Sequence, residues 1–253
     1  MSKMIFSISE FSSPGPYPRN EDAYKATVFS EGRAIGLVAD GVGGESRGEV
    51  ASSFVVEHFL EALAANNNES LTILATKINA ELIEHVRGLG LPPRVYTTIT
   101  GVDILQDGSL TGIHVGDSRG LILRGDGVQQ LTDDHTEAQR LLREGKLTKS
   151  EYKNYPRKHI LESAMGMSPI PIIQEFHFRL QAHDRVLLMS DGVYNKISKR
   201  EIRDISLVSK GVDELVRRIV GHLESRVPDD NFTLIAVQFG GIPISVDEMP
   251  ITH

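Results

Sequence analysis

Two apolar stretches of the chain each run into an aspartate that is followed by a glycine. The first is "GLVAD" over 36–40, and the second is "RVLLMSD" over 185–191. Apolar runs of this length without polar alternation are typical of strands that are buried on both faces. Each strand therefore brings a carboxylate to the edge of a core, where an isolated charge is costly. Any fold of this chain has to compensate both charges.

Basic side chains near in sequence offer little compensation, since the first ones after each aspartate are Arg47 and Lys196. A divalent cation fits better, because carboxylates, main-chain carbonyls and waters are the ligands that Mg²⁺ and Mn²⁺ prefer. The glycine after the first aspartate, Gly41, would let its carbonyl approach such an ion. The chain has no Cys, so any metal must be held by oxygen or imidazole ligands.

Composition limits the class of protein. A chain of 253 residues with 40% hydrophobic and 24% charged residues is ordinary for a globular protein. The net charge of −7 argues against a nucleic-acid partner, because phosphate backbones attract basic surfaces. No apolar run approaches the roughly 20 residues of a membrane span, and the start "MSKMIFSISEF" does not look like a signal peptide. We expect a cytoplasmic protein without a membrane partner.

Strands and helices are predicted in separate blocks. Helical periodicity predicts helices over 49–65, 70–86, 198–207 and 212–225. Strand patterns cover 4–9, 34–40, 97–132, 175–190 and 231–239. This grouping favours an α+β fold over alternating βαβ units. We expect one domain over 1–240, interrupted by a mostly helical flap at about 136–165, and an unassigned tail over 241–253.

Acidic residues gather at predicted strand ends. Asp107 and Asp126 each precede a glycine between two strand-like runs, which predicts hairpin turns. Other acids at strand ends are Glu21, Asp22, Asp117, Asp229 and Asp230. Each of these acids taken alone can have a purely structural role, such as an Asx-turn, or an ion pair of Asp117 with Arg119. Together with the two aspartates that end apolar runs, they predict a metal cluster.

Six short motifs in order resemble those of the metal-dependent protein phosphatases, the PPM family of type-2C serine/threonine phosphatases, in their compact bacterial form. They are "NED", "DGVGG", "GDSRG", "LTDDHT", "SDG" and "DDNFT". The resemblance spans about residues 4 to 239. It implies a sandwich of two antiparallel sheets flanked by pairs of helices. It also implies a monomeric signalling enzyme that dephosphorylates proteins and opposes a Ser/Thr kinase.

The resemblance also implies a site with two Mn²⁺ or Mg²⁺ ions. Asp40 would bridge both ions, Asp191 and Asp230 would complete one, and Asp22 with the Gly41 carbonyl would complete the other. A hydroxide bridging the ions would then attack the phosphorus directly, so the catalytic residues would be Asp40, Asp191 and Asp230. A weaker third ion would lie between Asp117 and Asp191.

Three positions depart from the family pattern. An arginine normally lies three residues before the Asn of "NED" and binds phosphate, but this chain has Tyr17 there. Arg19 is the candidate replacement, since a guanidinium offers two hydrogen bonds to a phosphate, or else it is an ordinary surface residue. Asn195 replaces an acid, which predicts weaker binding of the third ion. Val42 replaces the histidine that acts as a general acid in many eukaryotic relatives.

Two alternatives to a protein phosphatase stay open at this point. One is a phosphatase-like regulatory module that binds a phosphoprotein without turnover, and the other is a phosphatase of small phosphoesters. The flap adds a separate hypothesis. It has seven Lys or Arg residues between Arg140 and Lys158, and Lys146, Lys149 and Lys153 would steer phosphorylated segments toward the acidic site.

Overall fold

The structure is a computed structural model that describes residues 5–30, 32–42, 47–65 and 69–241. Gly43 and Gly44 of the "DGVGG" motif and residues 242–253 of the predicted tail lie outside these ranges. Within the described ranges the strands are β1 (Phe6–Ser13), β2 (Asp22–Val28), β3 (Ala34–Val42), β4 (Tyr96–Thr97), β5 (Ile99–Ile104), β6 (Ser109–Val115), β7 (Arg119–Arg124), β8 (Gly127–Gln130), β9 (Gln174–Arg179), β10 (Arg185–Met189) and β11 (Phe232–Phe239).

These strands form two antiparallel sheets. The first sheet has the order β1-β11-β10-β7-β8, and the second has the order β2-β3-β5-β6-β9, with β4 paired to the end of β3. Side chains from both sheets meet in a shared inner core, where Val38 of β3 packs with Leu188 of β10 and Ile235 of β11. All three are fully buried, and each contributes about 1.5–3 kcal/mol through burial. The inner core therefore fixes one sheet against the other.

Helices cover the outer faces. In the described ranges they are α1 (Gly48–Ala64), α2 (Leu71–Gly88), α3 (Glu137–Arg143), α4 (Lys149–Lys153), α5 (Asp191–Tyr194), α6 (Lys199–Val208) and α7 (Val212–Ser225). Apolar faces of α1 and α2 pack on the second sheet, with Phe59 and Leu82 against Leu37. Those of α6 and α7 pack on the first sheet, with Leu215 against Leu187. The layers follow the order helices, sheet, sheet, helices, so the predicted α+β sandwich is confirmed.

The four long helices lie within two residues of their predicted ranges. Both hairpin turns are also confirmed. The Asp107 carboxylate accepts a hydrogen bond from the amide of Ser109 at 2.8 Å, and Gly108 has a φ of +87° that favours glycine. No helix in the described part of the chain has the length and apolar character needed to span a membrane.

The local structure differs from the sequence analysis in two places. The strand β2 was not predicted, because most of its side chains are only partly buried and its sequence "DAYKATV" lacks an apolar run. The flap over 136–165 is helical only in α3 and α4. Polar contacts between its segments stabilise the rest of the flap. Glu137, for example, accepts hydrogen bonds from the Tyr155 hydroxyl at 2.7 Å and from the Arg157 guanidinium at 2.8 Å.

Candidate active site

Five aspartates from distant parts of the sequence come together where strands of both sheets end, and we call them the aspartate cluster. Two belong to neighbouring strands, since Asp22 begins β2 and lies directly opposite Asp40 of β3. The other three lie between elements or at the start of one. They are Asp117 between β6 and β7, Asp191 at the start of α5, and Asp230 just before β11. Asp22, Asp117 and Asp230 thus lie at the start of a strand or in the turn next to one, and Asp40 lies two residues before the end of β3.

The five carboxylates lie close enough to repel one another. Burial is the main cause that raises the pKa of Asp22 to about 7, with the charges of Asp191 and Asp230 adding to it. Burial and then the charges of the other four raise the pKa of Asp40 well above its usual range. Burial likewise raises the pKa of Asp117 to about 8 and that of Asp191 to about 6.

No Lys or Arg in the described ranges forms an ion pair with any member of the aspartate cluster. The two basic residues nearest to its members make other contacts. Arg119 binds Asp134 with a closest distance of 2.6 Å, so the ordinary reading of Asp117 as its partner is wrong. Lys196 binds Asp229 at 2.8 Å. When its carboxyl groups are ionised, the cluster carries negative charge that no basic side chain of the described ranges pairs with, and this favours a bound cation.

Asp22 shows most directly that a carboxylate oxygen of the cluster lacks a partner. Its Oδ2 accepts a hydrogen bond from the buried Ser190 hydroxyl at 2.7 Å. Its Oδ1 is buried and has no hydrogen-bond partner. A buried polar atom without a partner costs about 1–3 kcal/mol, and a metal ion would supply the missing partner. The donor set of this cluster thus fits a hard divalent cation.

Asp40 and Gly41 are held by their backbones. The amide of Asp40 donates to the Thr98 hydroxyl at 2.9 Å, and its carbonyl accepts from the Thr97 hydroxyl at 2.9 Å. A Cβ at Gly41 would lie 2.4 Å from the carbonyl oxygen of Gly48. Since that oxygen belongs to the backbone and cannot move aside, glycine is required by close packing at this position.

A cavity of about 300 Å³, which we call the main cavity, opens beside these residues. It is lined by Tyr17, Arg19, Glu21, Asp40, Gly41, Asp230 and Asn231. Arg19 is exposed, and its guanidinium donates to the Glu49 carboxylate at 3.3 Å. The structure therefore brings the candidate phosphate-binding residue, Arg19, to the same cavity as Asp40 and Asp230. Tyr17 lines this cavity as well.

Two functional positions were missed in the sequence. Asn231 was predicted only as part of the last strand and of the "DDNFT" motif, but its side chain ties the loop of the "NED" motif to β11. It accepts from the amide of Glu21 at 2.8 Å and donates to the carbonyl of Pro14 at 2.8 Å. In the sequence, the sign of this role is that Asn231 directly follows Asp230. Its contacts determine where the loop that carries Arg19 lies.

Tyr194 is the second missed position. Its hydroxyl donates to Asp117 at 3.2 Å, and the Arg119 guanidinium lies 3.6 Å from the centre of its ring. Asn195 follows, and its amide donates to Asp191 at 3.3 Å. Tyr194 is the last residue of the short helix that begins at Asp191, and Asn195 directly follows that helix.

The cluster is not a closed cage. Within the described ranges, no group of three or more His, Asp or Glu side chains forms a ready ligand set for one ion. Neighbouring but separated carboxylates suit Mg²⁺, which keeps several water molecules in its coordination shell. The residues present fit divalent ions that keep part of their hydration shell better than ions that lose all of their water molecules.

A sequence model described as "Protein phosphatase 2C" matches residues 18–230. The chain belongs to the protein phosphatase 2C family. It is 30% identical over 233 residues to the serine/threonine phosphatase stp of Listeria innocua, an alignment that covers 87% of this chain and 90% of that protein. It is also 30% identical over 231 residues to protein phosphatase PhpP of Streptococcus pneumoniae, covering 86% and 91% of the two chains.

Solved structures of the protein phosphatase 2C family agree with the fold. The structure of Stp1 from Staphylococcus aureus superposes with a TM-score of 0.86 at 24% identity, covering 93% of this chain and 96% of that chain. At this identity the likeness concerns the fold alone. The predicted family, the α+β sandwich and the enzyme class of protein phosphatase are confirmed. Membership in the family implies that the protein depends on metal ions and that its substrates are phosphorylated proteins.

Proposed function

We propose that this protein phosphatase 2C is an active serine/threonine phosphatase that uses two divalent cations, Mn²⁺ or Mg²⁺, to hydrolyse phosphoserine and phosphothreonine. The observation that carries the proposal is the aspartate cluster, with its five neighbouring carboxylates and no ion-pair partner in the described ranges. The names of relatives from Listeria innocua and Streptococcus pneumoniae support the substrate class.

The proposed ligands of the two cations are Asp22, Asp40, the Gly41 carbonyl, Asp191 and Asp230. A weaker third ion is proposed at Asp117 and Asp191. The unpartnered Oδ1 of Asp22 supports the fit. When bound, such ions acidify a water molecule and stabilise negative charge on the phosphoryl oxygens.

The chain's own residues prepare the site for this chemistry. The Ser190 hydroxyl orients the carboxylate of Asp22, and the Thr97 and Thr98 contacts hold the backbone of Asp40. These hydrogen bonds restrict the carboxylate of Asp22 and the backbone of Asp40 before a substrate binds, which reduces the entropy lost in the transition state. Val42, in place of a histidine, gives the chain no imidazole at that position.

Arg19 is proposed to bind the phosphate of the substrate. Its guanidinium is exposed at the main cavity and reaches Glu49 through one long contact of 3.3 Å. An exposed ion pair of this kind is weak, so a phosphate can replace Glu49 as the partner. Bidentate hydrogen bonds then compensate for the arginine that is absent at Tyr17.

The residues of the main cavity also support direct hydrolysis. The described lining has no Ser, Thr, Cys or His side chain, and its aspartates, Asp40 and Asp230, are proposed to hold the cations and not to form a phosphoenzyme. We further propose that the protein acts as a cytoplasmic monomer opposite a cognate Ser/Thr kinase. Residues 1–240 are proposed as one phosphatase domain, with the flap at about 136–165 as part of it.

Phosphate release from a phosphothreonine peptide tests the function. The assay compares Mn²⁺, Mg²⁺ and EDTA for the wild type, for Asp40→Asn and Asp191→Asn, and for Asp126→Asn, which removes one charge from an exposed turn. We expect metal-dependent turnover that is lost in the first two variants and retained in the third. A folded wild type that binds Mn²⁺ and the phosphopeptide but releases no phosphate would instead support the regulatory module. Turnover of p-nitrophenyl phosphate without turnover of any phosphopeptide would support a phosphatase of small phosphoesters.

A further inference from the structure

A second cavity of about 230 Å³ lies between the aspartate cluster and the flap, and we call it the flap cavity. One wall contains Asp117 of the cluster together with Asn195. The flap supplies the opposite wall with Lys153, Lys158 and His159. The flap cavity and the main cavity share no lining residue, so they are two spaces that adjoin one cluster.

The two lysines of the flap cavity differ from most other basic side chains of the flap. Arg140 binds Glu144 and Glu162, and Arg157 binds Glu137. Lys146 binds Glu144 at 2.7 Å. Within the described ranges, Lys153 and Lys158 form no ion pair, and both are exposed. Their charges are therefore available to a ligand that enters the flap cavity.

Asp117 is the one carboxylate of the described lining without an ion-pair partner, and it faces two unpaired lysines, so the charged side chains of the lining still have a net positive charge. Arg119 and Asp134 both line the cavity, but they bind each other through two hydrogen bonds and together are neutral. Asn195 is neutral and adds no negative charge to this wall. The positive charges of Lys158 and Arg119 also lower the pKa of His159, after the larger effect of its burial.

We propose that the flap cavity is an anion subsite that binds an acidic side chain of the substrate close to its phosphorylated residue. The ligand is a carboxylate of Asp or Glu, or a second phosphate. The inference rests on the proposed phosphatase function and adds a substrate preference to it. It also revises the steering hypothesis for the flap, because Lys146 is paired and only Lys153 of the three lysines named there lines the cavity.

The test uses phosphothreonine peptides of one sequence that differ at a single flanking position. Glu replaces Ala in turn at each of three positions on either side of the phosphothreonine, and a second series carries a phosphonate analogue of phosphoserine. We expect kcat/KM to rise about three- to tenfold over the Ala peptide at one or two positions, the range that one or two exposed ion pairs supply. A rise with Glu identifies a carboxylate as the ligand, and a rise only with the phosphonate identifies a phosphate.

The double variant Lys153→Ala/Lys158→Ala tests the cavity itself. We expect it to turn over the Ala peptide as the wild type does and to lose the preference for the acidic peptide. The matched control, Lys146→Ala/Lys149→Ala, removes the same charge from the same flap outside the cavity and should keep the preference. Raising the salt from about 0.1 M to about 1 M should also weaken it, because the Debye length falls from about 10 Å to about 3 Å.

Three results would overturn the inference. A wild type that turns over the Ala peptide without any acidic preference refutes the subsite and leaves the phosphatase function standing. An equal loss of preference in the control variant assigns the effect to the overall charge of the flap. A wild type without turnover of any phosphopeptide refutes the proposed function and the subsite with it.

Discussion

Replacing Asp22 by Asn should stabilise the metal-free protein at alkaline pH. Asp22 is buried, and its pKa rises from 3.8 to about 7. Each pKa unit corresponds to about 1.36 kcal/mol, so ionising this carboxyl in the folded protein costs about 4 kcal/mol at pH 8. Asn cannot ionise and avoids this cost, although its amide needs an acceptor in the same buried space.

The sign of the pH dependence follows from the raised pKa. Asp22 contributes its full stability below pH 3.8, where both the folded and the unfolded protein bind the proton. As the pH rises from 3.8 to about 7, the unfolded protein releases this proton more readily than the folded protein does, and the stability is lost. At pH 5 the cost is about 2 kcal/mol, so the benefit of Asp22→Asn should grow by about 2–3 kcal/mol between pH 5 and pH 8. The pH-independent cost of the buried amide cancels in this comparison.

Urea unfolding in EDTA at pH 5 and pH 8 measures the effect. The control is Asp126→Asn, which removes the same charge from an exposed turn and should show no such change. Mn²⁺ added in excess of the EDTA should raise the unfolding free energy of the wild type more than that of Asp22→Asn. A ligand of the folded protein stabilises it more when it binds more tightly. A benefit of Asp22→Asn that is equal at both pH values would refute the reasoning.

Three further changes have defined outcomes. Gly41→Ala should lower the free energy of unfolding by about 3 kcal/mol, since its Cβ meets the Gly48 backbone; an unchanged urea midpoint would contradict this. Arg19→Ala should raise KM for a phosphopeptide about tenfold with a smaller change in kcat, whereas Tyr17→Phe should change neither by more than about twofold; equal effects would argue against Arg19. Tyr194→Phe should weaken binding of the weakest Mn²⁺ ion about tenfold in calorimetry, because Asp117 loses the hydroxyl that orients it; unchanged affinities would exclude this role.

The sequence was sufficient where local patterns determine the structure. The strands before Asp40 and Asp191 were identified because an apolar run is visible in the local sequence without knowledge of the neighbouring strands. The turns at Asp107 and Asp126 followed in the same way from glycine next to aspartate. The motif order added the family, and with it the sandwich and the cluster.

Contacts between distant residues were beyond local patterns. The direct pairing of Asp22 with Asp40 depends on β2, a partly exposed strand whose sequence has no apolar run. The pair of Arg119 with Asp134 joins residues on either side of the β7–β8 hairpin, and sequence proximity suggested Asp117 instead. The flap is held by ion pairs and hydrogen bonds, which leave no periodic signal along the chain.

The inner core between the sheets sets the spacing of the aspartate cluster. Asp22 and Asp40 belong to the second sheet, whereas Asp191 and Asp230 adjoin strands of the first, so the gap between these pairs depends on how closely the sheets pack. Val38, Leu188 and Ile235 fill the space between the sheets and line neither of the two cavities. Enlarging or shrinking one of these side chains would shift the sheets relative to each other. We therefore expect catalytic efficiency to depend on apolar volume in a layer that does not line either cavity.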